Sequence, residues 1–250
     1  MLSRAAAGLA LLYLAVCVFM FTLQGALLYH PQPARQAVAS ITLAVQGASL
    51  QVSVQARPGA PAILYFGGNA DDVSGSLQRL AQLFPDHALY LMHYRGFGQS
   101  TGKPSEPALH ADARALYQHV RREHAEIKLI GRSLGSGVAA RLASEQPVAR
   151  LVLVTPFDSI ENVAVELFPW LPVRWLIRER FDSAAVAGRI GAPTVLIAAE
   201  RDTLIRPERT AQLAARFQPG VARLVVVPGA DHNDIGQHPA YERALVQAMH

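Results

Sequence analysis

The chain has 250 residues, of which 51% are hydrophobic and 17% are charged. About 220 residues remain once an apolar N-terminal segment is set aside, which suits one domain with a single large core. The net charge of +4 comes from scattered residues without a basic run, and this pattern argues against a nucleic-acid partner. The chain has a single cysteine, Cys17, so an intrachain disulfide is excluded and the redox compartment stays open.

The N-terminal segment Ala5–Leu28 contains no charged side chain. As a helix it would cover about 36 Å, enough for a hydrocarbon core of about 30 Å. We predict an uncleaved membrane anchor through residues 5–28, in a region 1–30 that precedes a domain over 31–250. A cleaved signal peptide, lipidation at Cys17 and a buried core helix stay open as alternatives.

The charges that flank this segment bear on its orientation. Arg4 precedes it and Arg35 is the first strong positive charge after it, which favours the N-terminus inside and the domain outside. In a bacterium the protein would be a single-pass protein of the inner membrane with its domain facing the periplasm. A chain beginning near Pro31, in the proline-containing linker, is expected to be soluble and active.

Beyond the linker, strand and helix patterns alternate along the chain. Alternation of apolar and polar residues predicts a hairpin from Ile41–Gln46 and Ser49–Ala56. Apolar runs predict strands at Ala62–Phe66, Ala88–Tyr94, Ile127–Ile130, Leu151–Val154, Thr194–Ala198 and Arg223–Val227. Helical patterns cover Val73–Phe84 and Glu106–His124 and begin at Leu134, Pro207 and Pro239. The sequence therefore predicts an α/β fold: a mostly parallel, doubly wound sheet with an antiparallel N-terminal hairpin.

A G-x-S-x-G string, Gly131-Arg132-Ser133-Leu134-Gly135, lies between a predicted strand and a predicted helix. A sharp turn in this context exposes the serine hydroxyl above the sheet, and the flanking glycines allow neighbouring backbone to come close. We predict that Ser133 is a nucleophile. The alternative is a glycine-rich turn with a capping serine.

A serine nucleophile needs a base and an acid that orients the base. His232 directly follows the last apolar strand, and Asp202 follows the strand Thr194–Ala198, giving the order Ser, Asp, His. Glu200 and Asp231 are rival acids, and His93 is a weaker rival base. Other histidines lie in predicted helices or the linker and are expected on the surface: His30, His110, His119 and His124.

Two backbone amides are candidates for holding a developing oxyanion. One is the amide of Leu134, directly after the serine, and the other lies in Phe66-Gly67-Gly68-Asn69-Ala70, with the amide of Asn69 as the choice. The alternative for this second segment is a simple turn.

Together these motifs resemble the alpha/beta-hydrolase superfamily over Ile41 to the C-terminus. Tyr94–Ser100 looks like a loop of its lysophospholipase-like and serine-aminopeptidase-like branch, and Thr155–Ser159 and Arg180–Ser183 look like segments of membrane-anchored members. The resemblance implies the alpha/beta-hydrolase fold and an acyl hydrolase without metal or cofactor. One departure is Gly67, which stands where the family often has a supporting histidine, and this puts the rigidity of the loop in question.

The long interruption 156–189 would then form a small cap over the site. Its apolar residues either line an acyl pocket or pack on the core: Phe168, Trp170, Leu171, Trp175, Leu176 and Ile177. The expected activity is hydrolysis of a carboxylic ester or thioester of a small-molecule or lipid-like acyl substrate. A serine peptidase, an acyltransferase and a non-catalytic membrane-tethered binding protein are the alternatives.

Overall fold

A computed structural model describes residues 2–249 of the chain. Over this range the chain forms eight strands and nine α-helices. The strands are β1 Ser40–Val45, β2 Ala48–Gln55, β3 Ala62–Phe66, β4 Ala88–Met92, β5 Ile127–Arg132, β6 Arg150–Val154, β7 Thr194–Ala199 and β8 Ala222–Val227. The helices are α1 Leu2–Leu28, α2 Ser74–Leu83, α3 Glu106–Val120, α4 Leu134–Glu145, α5 Ile160–Leu167, α6 Val173–Leu176, α7 Ser183–Ala187, α8 Pro207–Ala214 and α9 Pro239–Met249.

All eight strands form one sheet in the order β1-β2-β4-β3-β5-β6-β7-β8. β2 pairs antiparallel with β1 and with β4, and the remaining neighbours are parallel. The predicted α/β class, the N-terminal hairpin and the mostly parallel sheet are therefore confirmed. Because the parallel strands all end at one edge, the loops that follow β3, β5, β7 and β8 meet there.

Helices cover both faces of the sheet, which explains the unbroken apolar strands. In β3, Leu64 and Phe66 belong to one buried cluster, and Ile63 and Tyr65 belong to another. Successive side chains of a strand point to opposite faces, so each central strand contributes to both clusters. The edge strands β1 and β8 are partly exposed and carry polar residues between the apolar ones.

The segment after α3 differs from its sequence-based prediction. α3 ends at Val120 rather than at His124, and His124 is buried instead of lying on the surface. Its Nδ1 lies 2.7 Å from the carbonyl oxygen of Ala60 and its Nε2 3.0 Å from the Tyr90 hydroxyl. These partners satisfy both ring nitrogens, so the imidazole is accommodated inside the protein.

Helix α1 is long and apolar enough to cross a membrane by length and composition. Most of its large apolar side chains are exposed, and the segment 156–189 packs against one side of its second half. That segment, the cap, contains α5, α6 and α7. The domain therefore contacts the helix that was expected to serve as an anchor alone.

Candidate active site

Ser133 lies in a strained turn between β5 and α4. Its φ of 50° and ψ of −118° place a non-glycine residue at positive φ, a conformation that persists only when surrounding contacts enforce it. The Ser133 amide donates to the carbonyl oxygen of Val154 at 2.9 Å, and the Ser133 carbonyl oxygen accepts from the Ser136 hydroxyl at 2.6 Å. These bonds hold the turn at the carboxyl edge of the sheet.

The two glycines of the G-x-S-x-G string are required by close backbone packing. A Cβ on Gly131 would collide with the carbonyl oxygen of Gly135, and a Cβ on Gly135 would collide with that of Phe66 at the end of β3. Both obstacles are backbone atoms, which cannot rotate away as a side chain can. The glycines therefore let α4 start directly against the sheet.

The structure brings Ser133, His232 and Asp202 together although 99 residues separate Ser133 from His232. His232 Nε2 lies 3.0 Å from Ser133 Oγ, and His232 Nδ1 lies 2.7 Å from Asp202 Oδ2. All three residues are buried. Because Asp202 can only accept at Nδ1, the proton sits on Nδ1 and Nε2 is free to accept from the serine hydroxyl.

The rival residues from the sequence lie elsewhere. Glu200 Oε2 accepts the Gly229 amide at 2.7 Å, and Asp231 accepts the His232 amide with its Oδ1. Buried His93 is hydrogen-bonded to Ser53 Oγ at 2.8 Å through Nε2. The second oxygen of Asp202 accepts the amides of Leu204 at 3.0 Å and of Ile205 at 2.7 Å.

Asn69 and Leu134, the candidate oxyanion donors, line the same cavity as Ser133. Asn69 follows β3, and Leu134 is the first residue of α4. The Asn69 side chain donates through Nδ2 to the carbonyl oxygen of Leu28 at 2.9 Å. Both residues therefore lie on separate elements beside Ser133, where donors to an oxyanion would have to be placed.

The loop that carries Asn69 is braced without the histidine that Gly67 replaces. Asp71 Oδ2 accepts the Gly68 amide at 2.7 Å, and the Tyr94 hydroxyl donates to the Gly67 carbonyl oxygen at 2.7 Å. Arg132 Nη1 in turn contacts both carboxylate oxygens of Asp71, at 2.8 and 3.0 Å. The sequence analysis missed this brace, whose local signal was the arginine next to Ser133.

Arg132 carries its charge in a largely enclosed position. Burial by itself would lower the pKa of Arg132, but the neighbouring Asp71 carboxylate outweighs burial and the pKa is raised. Its Nη2 also reaches the carbonyl oxygen of His232 at 3.4 Å. One guanidinium therefore connects the turn of Ser133, the loop of Asn69 and the backbone of His232.

A cavity of about 420 Å³ opens beside Ser133. It lies between the sheet edge, the cap and α1, and its lining is almost entirely apolar. Among the predicted pocket residues of the cap, Phe168, Leu171, Leu176 and Ile177 line it, whereas Trp170 and Trp175 are 57% and 87% exposed. A volume of this size accommodates a ligand of moderate size with an apolar body.

Comparison with known proteins gives the family. The family model of the serine aminopeptidase S33 family matches residues 62–186, half of the chain. An uncharacterized protein of Mycobacterium tuberculosis, Rv2307c, is 34% identical over 249 aligned residues, with 90% of this chain and 86% of its own length covered. The chain belongs to the alpha/beta-hydrolase superfamily. A more distant relative of this hydrolase is the lysophosphatidylserine lipase ABHD12 of Danio rerio, 31% identical over 169 residues. That match covers 58% of this chain and 44% of the lipase.

Solved structures agree on the fold of the hydrolase. The Pyrococcus furiosus esterase Pf2001 has a TM-score of 0.70 at 16% identity and covers 84% of this chain and 91% of its own. The enol-lactonase from Burkholderia xenovorans LB400 has a TM-score of 0.67 at 17% identity. The match covers 84% of this chain and 99% of the lactonase chain. The alpha/beta-hydrolase fold predicted from the sequence is thus confirmed, and at these identities the likeness concerns the fold alone.

Proposed function

We propose that this hydrolase cleaves carboxylic esters or thioesters with an apolar acyl chain, using Ser133 as nucleophile, His232 as base and Asp202 as orienting acid. The observation that carries the proposal is the continuous hydrogen-bonded chain from Ser133 Oγ through His232 to Asp202. At its serine end, this series of hydrogen bonds reaches an apolar cavity.

The steps follow from the geometry. Ser133 Oγ attacks the acyl carbonyl carbon while His232 Nε2 takes the hydroxyl proton, and the amides of Asn69 and Leu134 hold the oxyanion. His232 then gives the proton to the leaving oxygen or sulfur, which leaves an acyl-enzyme on Ser133. Water, deprotonated by His232, attacks this ester and releases the acid. The reaction needs neither a metal ion nor a cofactor.

A serine aminopeptidase on the same three residues is the second candidate, favoured by the description of the matching family model. Such an enzyme needs a carboxylate to bind the substrate ammonium group. Glu179 is the acidic residue among those that line the cavity, and its Oε2 accepts the Tyr29 hydroxyl at 2.7 Å and the Glu106 amide. Because this oxygen already has two donors and the rest of the lining is mostly apolar, we favour the acyl substrate.

We further propose that residues 1–30 anchor the hydrolase domain, 31–250 with the cap at 156–189, to a membrane. The apolar α1 supports this part of the proposal, and the flanking Arg4 and Arg35 favour a bacterial inner membrane with the domain in the periplasm. Retention of the full-length protein in membranes after a carbonate wash is the expected result. Recovery in the soluble fraction contradicts it.

The decisive experiment compares Ser133→Ala with Ser144→Ala. Ser144 lies on the same helix, and its hydroxyl donates to the carbonyl oxygen of Arg141. We expect Ser133→Ala to lose both p-nitrophenyl ester hydrolysis and labelling by a fluorophosphonate, while Ser144→Ala retains both. Circular dichroism verifies that both variants are folded, and near wild-type turnover in Ser133→Ala refutes the assignment.

A further inference from the structure

One side of helix α1 faces the interior of the protein. Met20, Gln24 and Leu28, spaced four residues apart, lie on one stripe of the helix. All three line the cavity that contains Ser133. A helix that served only to cross a membrane would not need to line this cavity.

Polar contacts fix the position of α1 against the cap. The Gln24 side chain donates through Nε2 to the Leu176 carbonyl oxygen at 3.1 Å and accepts the Arg178 amide at 2.7 Å. The Arg178 guanidinium lies 4.7 Å from the centre of the Phe21 ring and donates to the Phe21 carbonyl oxygen at 3.1 Å. Because one amide side chain satisfies two backbone groups of the cap, the register of α1 along the cap is specified.

The cavity has a reactive end and a far end along α1. Leu28 is at the reactive end, since its carbonyl oxygen accepts from the Asn69 side chain beside Ser133. Met20 lies eight residues earlier, about 12 Å away along the helix axis. There it packs with the buried residues Cys17, Leu171 and Val173. An extended chain whose carbonyl reaches Ser133 would therefore run along α1 and end near Met20.

The opposite side of α1 at this level is exposed and apolar. Val18 and Phe19 are each 54% exposed, and Trp170 and Trp175 of the cap are also exposed. Tyr13 donates through its hydroxyl to the Trp170 carbonyl oxygen at 3.0 Å, so the cap extends along α1 as far as that residue. If α1 lies in a bilayer, its exposed side faces the lipid chains while its other side lines the cavity.

We propose that α1 is the acyl-binding wall of the enzyme and that Met20 limits the chain length it accepts. The substrate is then a membrane-resident long-chain ester, whose chain lies on the Met20–Gln24–Leu28 stripe while its carbonyl carbon is at Ser133. This inference rests on the proposed function for the chemistry at Ser133. The role of α1 as a wall follows independently from the cavity lining.

The test places the same large side chain on two sides of α1. Met20→Trp fills the far end of the cavity, whereas Val18→Trp adds a ring to the exposed side. In the full-length protein in lipid nanodiscs, we expect Met20→Trp to lower kcat/KM for p-nitrophenyl palmitate by about tenfold or more relative to the butyrate ester. Met20→Ala should shift the preference toward longer chains, and Val18→Trp should keep the wild-type profile. An identical profile in all four proteins overturns the inference.

A second measurement does not depend on turnover. A fatty acid with a terminal diazirine is photolysed with the Ser133→Ala protein, and adducts are mapped by mass spectrometry. We expect adducts on buried Leu171 and Val173, lost on adding Met20→Trp and kept on adding Val18→Trp. Adducts confined to the exposed side of α1, or unaffected by Met20→Trp, overturn the inference.

The two measurements separate the possible failures. If no ester is hydrolysed but the adducts form and disappear as expected, the proposed function is wrong and the wall assignment stands. If hydrolysis depends on Ser133 but neither the profile nor the adducts depend on Met20, the function stands and the wall assignment is wrong.

Discussion

Asp202 differs from the neighbouring acids in what its carboxylate contacts. One oxygen accepts two backbone amides, those of Leu204 and Ile205, and the other faces His232 Nδ1. The loop after β7 therefore fixes the carboxylate independently of its contact with the histidine. Glu200, two residues earlier, is exposed and bound to the Gly229 amide.

We expect Asp202→Asn to lower kcat by about 10³- to 10⁴-fold. The amide oxygen would keep the bonds to Leu204 and Ile205, so the amide nitrogen would face Nδ1. The imidazole would then carry its proton on Nε2, where it cannot accept the serine proton. Turnover of p-nitrophenyl butyrate measures the loss of kcat, and the melting temperature shows whether the variant is as stable as the wild type. Glu200→Gln is the control. Equal activity of the two variants would assign the acid to another residue.

His93 is a buried titratable residue that is hydrogen-bonded to Ser53 and not to Ser133. Its Nε2 is hydrogen-bonded to Ser53, and a Cβ on Gly98 would lie 2.6 Å from its Nδ1, so the ring is tightly enclosed. Burial lowers the pKa of His93 below its usual value of 6.5, although the Asp72 carboxylate acts in the opposite direction. The folded protein therefore binds this proton less readily than the unfolded chain does.

This difference predicts how stability depends on pH. As the pH falls below about 6.5, the unfolded chain gains a proton that folded His93 does not, so the free energy of unfolding decreases until the folded pKa is reached. We expect the melting temperature of His93→Gln to fall less steeply than that of the wild type in this window, whatever its value at neutral pH. Partly exposed His119, changed to Gln, is the control. If the melting temperatures of His93→Gln and the wild type fall in parallel as the pH is lowered, His93 is not the source of the pH dependence.

At the scale of the element, the loop after β3 depends on a contact with the end of β5. Asp71 belongs to the loop and Arg132 is the last residue of β5, and their ion pair holds the Gly68 amide and so the position of Asn69. A partly enclosed pair of this kind fixes geometry more than it adds stability. We assign Arg132 as a positioning residue.

We expect Arg132→Gln to lower kcat by about tenfold to a hundredfold with little change in KM, because a displaced oxyanion donor weakens binding of the transition state only. Arg132→Lys should recover part of the loss, since it restores the charge but not the guanidinium contacts. The exposed pair partner Arg79, changed to Gln, is the control. A rise in KM with unchanged kcat would show that Arg132 acts on substrate binding instead.

At the scale of the whole molecule, α1 and the domain form one unit. Tyr29, directly after α1, is buried in the main core and donates to Glu179. Burial, and after it the bond to Glu179, raises the pKa of the Tyr29 hydroxyl. Removal of α1 would open the cavity to solvent along its whole length. A chain that begins near Pro31 is still expected to be soluble and active, but its cavity would lack the wall that α1 supplies.

We expect a chain beginning at Pro31 to have a lower melting temperature than the full chain and to lose its preference for long acyl chains while still hydrolysing the butyrate ester. A chain beginning at Tyr13 keeps Met20, Gln24, Leu28 and Tyr29, so it should retain the full-length profile. Thermal denaturation and the ester series compare the three proteins. Indistinguishable behaviour of the two shortened chains would show that α1 adds nothing to the domain.

The sequence by itself predicted the order of strands and helices and brought Ser133, Asp202 and His232 forward as one group. The fold prediction succeeded because its signals are local, whereas the roles of these three residues stay predictions. Strands buried on both faces are apolar throughout, and residues that follow parallel strands must meet at one edge. The glycines on either side of Ser133 indicate a close approach between backbone segments that a side chain would prevent.

Only the tertiary structure decided which side of α1 faces the cavity, how the Asn69 loop is braced and that His124 is buried. α1 is apolar all round, so no periodicity indicates an inner side. The brace joins residues 61 positions apart and Gln24 contacts Leu176 across 152 positions. Contacts between distant segments depend on how the sheet and the helices pack. Local sequence patterns do not contain that information.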